Sequence, residues 1–198
     1  MTNSPTHRGD PAEELRAVAL RLFVETSYSG ASLQQIADAA GYAKSSVLYH
    51  FASKEALLEA VLAPAVEKIG VLLETSLGRI ADEQQRQAFV EEFIDYLLEY
   101  RFEAHIIINQ GQSLAGIPVV DDARRYITRL SDAFMSELPT TAQRVRLGVA
   151  LAGAAYVLAT SASERDAVAL EPLDEVREAL IAVVSELLVP LASDLSLT

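Results

Sequence analysis

No cysteine and no tryptophan occur in the 198 residues. Without thiols, disulfides and thiolate metal centres are excluded, and a reducing compartment such as the cytosol suits the chain. Histidine is scarce too. His7, His50 and His105 stand far apart, and no glycine-rich phosphate loop, HExxH pair or nucleophile elbow appears. The expectation is a protein with no catalytic residues, no metal and no cofactor. A long hydrophobic run is also missing. Leu147 to Ser163 carries no charge over 17 residues, but it is rich in Ala, Gly, Ser and Thr. A membrane span needs about 20 strongly apolar residues, so this segment is expected as a helix buried at a packing interface, with no membrane partner. The start, MTNSPTHRGDP, has no apolar core of a secretion signal, and residues 1–10 are expected as a flexible tail.

What is present is 51% apolar residues, enough for a sizeable core, and a net charge of −12. The acidity is unevenly spread. Residues 1–64 hold five Lys/Arg against seven Asp/Glu, whereas 65–198 hold eleven against twenty-one. Between residues 39 and 54 the only charges are Lys44 and Lys54. That is a small local footprint for an anion inside an acidic protein.

Nearly every segment carries helical periodicity, and no run alternates as a strand would. The fold class is therefore all-α. Asp10, Pro11 and Glu13 read as a capping box opening a first helix, which "SYSG" ends. Ser32 and Gln35 have the same spacing at a second helix, which Gly41 stops. A third helix covers about 44–50. Ser53 opens a fourth, where Pro64 is expected to kink or break the helix. Further helices are expected at about 82–100, 102–114, 118–137, 141–163 and 172–192, with a capping box at Thr140 and Gln143.

Three short helices with a tight glycine turn between the second and third make a helix-turn-helix module, whose second helix enters the DNA major groove. Ser45 and Ser46 are short enough to let a helix approach base edges. Lys44 can reach guanine or phosphate, and Tyr49 and His50 can hydrogen-bond phosphate oxygens. Ser32 and Ser53 stand at helix N-termini, where free N–H groups favour anions. The same shape also arises as plain helix packing, with Ser-Ser an exposed cap and Tyr-His-Phe a small aromatic core.

The stretch "SLQQIADAAGYAKSSVLYHFASKEALLEAVL" resembles the N-terminal domain of the TetR family of bacterial transcriptional regulators. The elements are L-x-x-I-A-x-x-A-G from Leu33 to Gly41, Lys44, the aromatic cluster ending at Phe51, and S-K-E-A-L-L from Ser53 to Leu58. The resemblance implies a three-helix DNA-binding domain over 11–62 and a larger helical ligand-binding and dimerisation domain over 63–198. It implies a cytoplasmic homodimer that binds double-stranded DNA at a palindromic operator. It places Tyr42, Ala43, Lys44, Ser45, Ser46, Tyr49 and His50 where the family contacts DNA, and Ser32 and Lys54 where helix N-termini hold phosphates. Two positions depart from the pattern. Leu48 stands where many members carry tyrosine, and Ala43 stands where a Ser or Thr often caps the recognition helix.

Beyond residue 65 the reading is physical. Gly148, Gly153 and their alanine neighbours allow close helix approach, and Leu173, Val176, Leu180, Val183, Leu187 and Leu191 space almost as a heptad seam. Such a pair serves either a dimer or internal packing; in the family it forms a four-helix bundle with a second subunit. Aromatic and polar residues on otherwise apolar helices suggest a mostly apolar effector pocket with a few polar anchors: Phe93, Tyr96, Tyr100, His105, Asn109, Tyr126 and Tyr156, with Phe102, Gln110 and Phe134 beside them and His105, Asn109 and Gln112 near one another on one helix. The function expected is a ligand-responsive repressor released from its operator by a small molecule. The competing reading is an all-helical ligand-binding protein or enzyme whose N-terminal helices are only structural.

Overall fold

The computed structural model describes residues 10–76, 83–138, 140–161 and 172–188. The helices among them are α1 (Pro11–Gly30), α2 (Leu33–Ala40), α3 (Lys44–His50), α4 (Lys54–Ser76), α5 (Glu83–Glu99), α6 (Arg101–Gln110), α7 (Pro118–Glu137), α8 (Thr141–Ser161) and α9 (Leu173–Leu188). No strand occurs among the described residues. The expected extension of the last helix to 192, with Leu191, lies outside them.

Local chemistry sets most helix ends. The Asp10 carboxylate caps α1, but it accepts from the Ala12 N–H at 3.1 Å, and Glu13 lies 4.0 Å from Arg16. The reciprocal box expected at Asp10 and Glu13 is therefore a one-sided cap. The box at Ser32 is complete: Gln35 N–H donates to Ser32 Oγ, and Ser32 N–H donates to Gln35 Oε1. Thr140 and Gln143 form the same pair. The "SYSG" stop is a break inside α1's last turns, where Ser27 takes φ 69°, ψ 162°. Pro64 does not break α4. It stands on the exposed side of a helix that runs through it; the missing N–H costs one helical bond where water can serve the orphan carbonyl. Helix α6 stops at Gln110, short of the expected 114, and turns carry the chain from Gly111 to Gly116.

Two apolar clusters share α4. The first gathers Leu15, Ala19 and Phe23 of α1, Ile36 and Ala37 of α2, Val47 of α3, and Leu57, Leu58, Leu62 and Val66 of α4. Ile106 of α6 and Val119, Val120 and Ala123 of α7 close it from the other side. The second runs through Ile69, Leu72 and Leu73 of α4 to Phe93 and Ile94 of α5, Leu151 and Leu158 of α8, and Val184 and Leu188 of α9. The change of cluster falls between Val66 and Ile69, within one uninterrupted helix. Any shift of α4 is thus felt in both cores.

Candidate nucleic-acid interface

Helix α2 buries Ile36 and Ala37 and turns sharply at Gly41, which adopts φ 74°, ψ 27°. A side chain there would be strained, because that left-handed backbone suits glycine. The turn is closed by Gly41 N–H to Asp38 O at 3.2 Å and Tyr42 N–H to Ala37 O at 2.9 Å. It sets α3 across α2. Helix α3 is anchored by Val47, fully buried, and by Phe51 just beyond its end. Ala43 sits at its N-cap without a side-chain hydrogen bond, as alanine must.

With Val47 facing inward, Lys44, Ser45, Tyr49 and His50 are exposed and Ser46 is half-buried. Tyr49 is 86% exposed, a costly place for an aromatic ring without a partner, and Leu48 is 44% exposed. The His50 ring meets Tyr49 edge-on at 5.2 Å. The helix carries one lysine and no acid. This surface offers hydroxyls, an ammonium, a phenol and an imidazole to an anionic partner.

Three of the expected contact residues are engaged elsewhere. The Tyr42 hydroxyl donates to Glu14 Oε2 of α1 at 2.6 Å, so it ties α1 to the turn. Ser32 spends its hydroxyl on the capping box. Lys54 differs most from its expected role. Its ammonium donates to the carbonyls of Tyr28 and Ala31, both at 2.8 Å, and lies 4.3 Å from the centre of the Tyr28 ring. Burial lowers its pKa from the ordinary lysine value. Lys54 thus binds the end of α1 to the start of α4, with its ammonium held by two backbone carbonyls.

Residues 15–61 match the family model described as bacterial regulatory proteins, tetR family. Over that stretch the chain is similar to the TetR family of regulators. A relative from Mycolicibacterium smegmatis, the HTH-type transcriptional activator FasR, is 34% identical over 91 residues. That match spans 46% of this chain and 42% of the relative, less than half of either. Among solved structures, the ketosteroid transcriptional regulator KstR2 of Mycobacterium tuberculosis superposes with a TM-score of 0.68 at 18% identity, over 91% of this chain and 95% of that one. SCO3833, a TetR-family member from Streptomyces coelicolor A3, gives 0.67 at 20% identity, over 93% and 92%. These two show a common all-helical fold.

The seven expected effector residues do not form one group. Phe93 is core, stacked on Phe89 at 5.8 Å. The Tyr126 ring packs on α4 at Gly70, where a Cβ would lie 2.8 Å from Tyr126 Cζ. Tyr156 is 58% exposed on the outer side of α8, together with Val145 and Val149 at 57% each, and so it leaves the pocket group. Tyr96 and Tyr100 do meet, 5.3 Å apart at the α5–α6 corner. His105 Nδ1 lies 2.8 Å from Ala159 O of α8 and 3.1 Å from Asn109 Nδ2. The carbonyl can only accept, so Nδ1 carries the proton, and Asn109 must then turn its amide oxygen toward it.

The sequence reading passed over Glu103. Its Oε2 is buried without a hydrogen-bond partner, beside Tyr96 and Tyr100, and burial raises its pKa. Nothing local marks it, since a glutamate in a helix's first turn is ordinary. An open cleft of about 380 Å³ lies elsewhere, against Arg146 of α8 and Val183, Glu186 and Leu187 of α9. On α9, Val183 of the expected seam faces outward, and its neighbour Val184 is buried. No helix among the described residues is long and apolar enough to cross a membrane. No group of three His, Asp or Glu among them is placed to hold a metal.

Proposed function

We propose that this chain is a DNA-binding transcriptional regulator that works as a homodimer. In this reading residues 11–62 form the DNA-binding domain and 63–198 the ligand-binding and dimerisation domain. The observation that carries it is the outer face of α3: Lys44, Ser45, Tyr49 and His50 exposed on an acid-free helix held by Val47 and the Gly41 turn. Two such helices about 34–36 Å apart would enter successive major grooves of a palindrome.

The exposed apolar stripe of α8, with Val145, Val149 and Tyr156, favours a second copy as its cover. Gly148 and Gly153 on that helix support this, because a Cβ at either would meet nothing within 4 Å in the chain. A mostly apolar small molecule is the proposed effector, with Tyr96, Tyr100, Glu103 and the His105–Asn109 pair as polar anchors. Its binding would shift α4, which both cores grip, and release the operator; affinities for effector and DNA are then reciprocally coupled. The relative named as an activator favours a second reading, in which the same DNA contact recruits transcription rather than blocking it.

Selection from a random duplex pool, followed by sedimentation of the complex, tests the proposal. Enrichment of a palindrome bound by an even number of subunits is the expected result. A pool that yields no enriched duplex would leave the N-terminal helices as structure only.

A further inference from the structure

We propose that Gln110 is a positioning residue for DNA recognition, and that the joint it closes carries displacements of α6 to α3; this rests on the DNA-binding reading above. Gln110 is the last residue of α6. Its Nε2 donates to Phe23 O at 2.8 Å, and its Oε1 accepts from Tyr28 N–H at 2.7 Å. Both bonds cross more than eighty residues of sequence, and both end on α1 on either side of its break. A neutral amide is what the place asks for: one donor and one acceptor side by side, against one carbonyl and one N–H. Glutamate would set a carboxylate against the Phe23 carbonyl, and methionine would satisfy neither group.

Between those two anchor points stands Ser27, at φ 69° and ψ 162°. It is the one non-glycine residue with positive φ among the described residues. That region of backbone space belongs almost wholly to glycine, and another residue stays there only where its surroundings over-determine it. The surroundings are visible. Tyr28 has its N–H on Gln110 of α6 and its C=O on Lys54 of α4. Its ring lies under the Lys54 ammonium and 5.4 Å from Phe23. Ala31, also held by Lys54, immediately precedes Ser32, the cap on which α2 starts. Helix α2 carries α3 through the Gly41 turn. The path from Gln110 to the recognition face is therefore short and made of direct contacts.

The other side of α6 is pinned as well. Five residues before Gln110, His105 is bonded to the Ala159 carbonyl of α8. One ten-residue helix thus holds α8 through His105 and the strained end of α1 through Gln110. A pair of hydrogen bonds serving stability alone would need no strained residue between them. Strain at Ser27 persists because its neighbours are held, and the hold from α6 is Gln110.

The test uses the full-length protein and the duplex it selects from a random pool. Gln110→Met and Gln110→Glu are both expected to fold and to bind that duplex about tenfold or more weakly than the parent. His105→Ala, at the other pin, is expected to change affinity severalfold in the parent and to have no effect in the Gln110→Met background, because the joint is already open. Wild-type affinity in both Gln110 variants overturns the proposal, and so does a His105→Ala effect of equal size in both backgrounds. If Gln110→Met does not fold, Ser27→Gly relaxes the same joint without removing a contact to α6. The His105→Ala effect should then shrink, and an undiminished effect refutes the coupling. A parent protein that selects no duplex brings down the DNA-binding reading itself, an outcome distinct from a parent that binds and a Gln110 variant that binds equally well.

Discussion

Lys44 and Lys54 are the only charges between residues 39 and 54, and their surroundings differ. Lys54→Met keeps the length of the stem and removes the ammonium. The loss is two hydrogen bonds of 2.8 Å to Tyr28 O and Ala31 O and one contact of 4.3 Å with the Tyr28 ring. A hydrogen bond from a charged group contributes about 1.5–3 kcal/mol, but Lys54 is only half-buried and water can serve both carbonyls. About 1 kcal/mol per bond is the better figure, with about 0.5–1 kcal/mol for the ring contact. The total is about 2.5–3 kcal/mol, which lowers the melting temperature of a chain this size by roughly 5–12 °C. A lysine on phosphate behaves differently: its removal makes the slope of log affinity against log salt shallower by about 0.9. The expectation is a clean separation. Lys44→Ala should lose about one unit of slope and keep its melting temperature. Lys54→Met should melt earlier and bind less tightly at every salt concentration, with an unchanged slope. Calorimetry and fluorescence anisotropy between 50 and 200 mM salt (about the range over which phosphate contacts are felt) make the comparison. A Lys54→Met protein with normal melting and a slope about one unit shallower would refute the assignment and return Lys54 to the phosphates.

Glu103→Gln should stabilise the protein by about 1 kcal/mol at neutral pH, because it removes a buried carboxylate oxygen that has no partner. Burial raises the folded-state pKa, so the unfolded chain releases its proton first, and stability falls as pH rises through the window just above 4.5. Urea unfolding across that window should show the slope in the parent and not in the variant; equal destabilisation on both sides would mean that the carboxylate has a partner in the fold. Val149→Glu should yield a folded monomer. Val149 is 57% exposed in one chain, so the change costs a monomer little, whereas a charge buried in a dimer seam costs several kcal/mol. Sedimentation that still shows a dimer would move the interface off this face of α8.

How much of this could be read from the residues alone depended on how far apart the partners are. The Ser32 box, the Gly41 turn, the Ser53 start and the Thr140 box each involve residues within a few positions of one another, and all appear where the spacing put them. The exposed face of α3 followed too, because Val47 alone decides which way a seven-residue helix turns. Asp10–Glu13 had the right spacing and still gave a one-sided cap; spacing permits a reciprocal bond without requiring it.

The errors share a cause in long-range contact. Lys54 stands where the family places a phosphate ligand, yet its ammonium is drawn to carbonyls of residues 28 and 31, which no local pattern reveals. Tyr156 and Phe93 are both aromatic residues on apolar helices, but one faces outward and the other fills the core. Helix α8 is apolar on more than one side, burying Leu147, Leu151 and Leu158 while exposing Val145, Val149 and Tyr156, so its periodicity does not say which side is inward. Gln110 illustrates the same point. Read locally it was one of the polar residues on otherwise apolar helices that suggested a pocket; in the fold both ends of its amide belong to α1. A glutamine at a helix terminus is common, and its role is set by what lies eighty residues away. The strained Ser27 is the only feature that draws attention to the place, and strain appears in the backbone angles, not in the letters "SYSG".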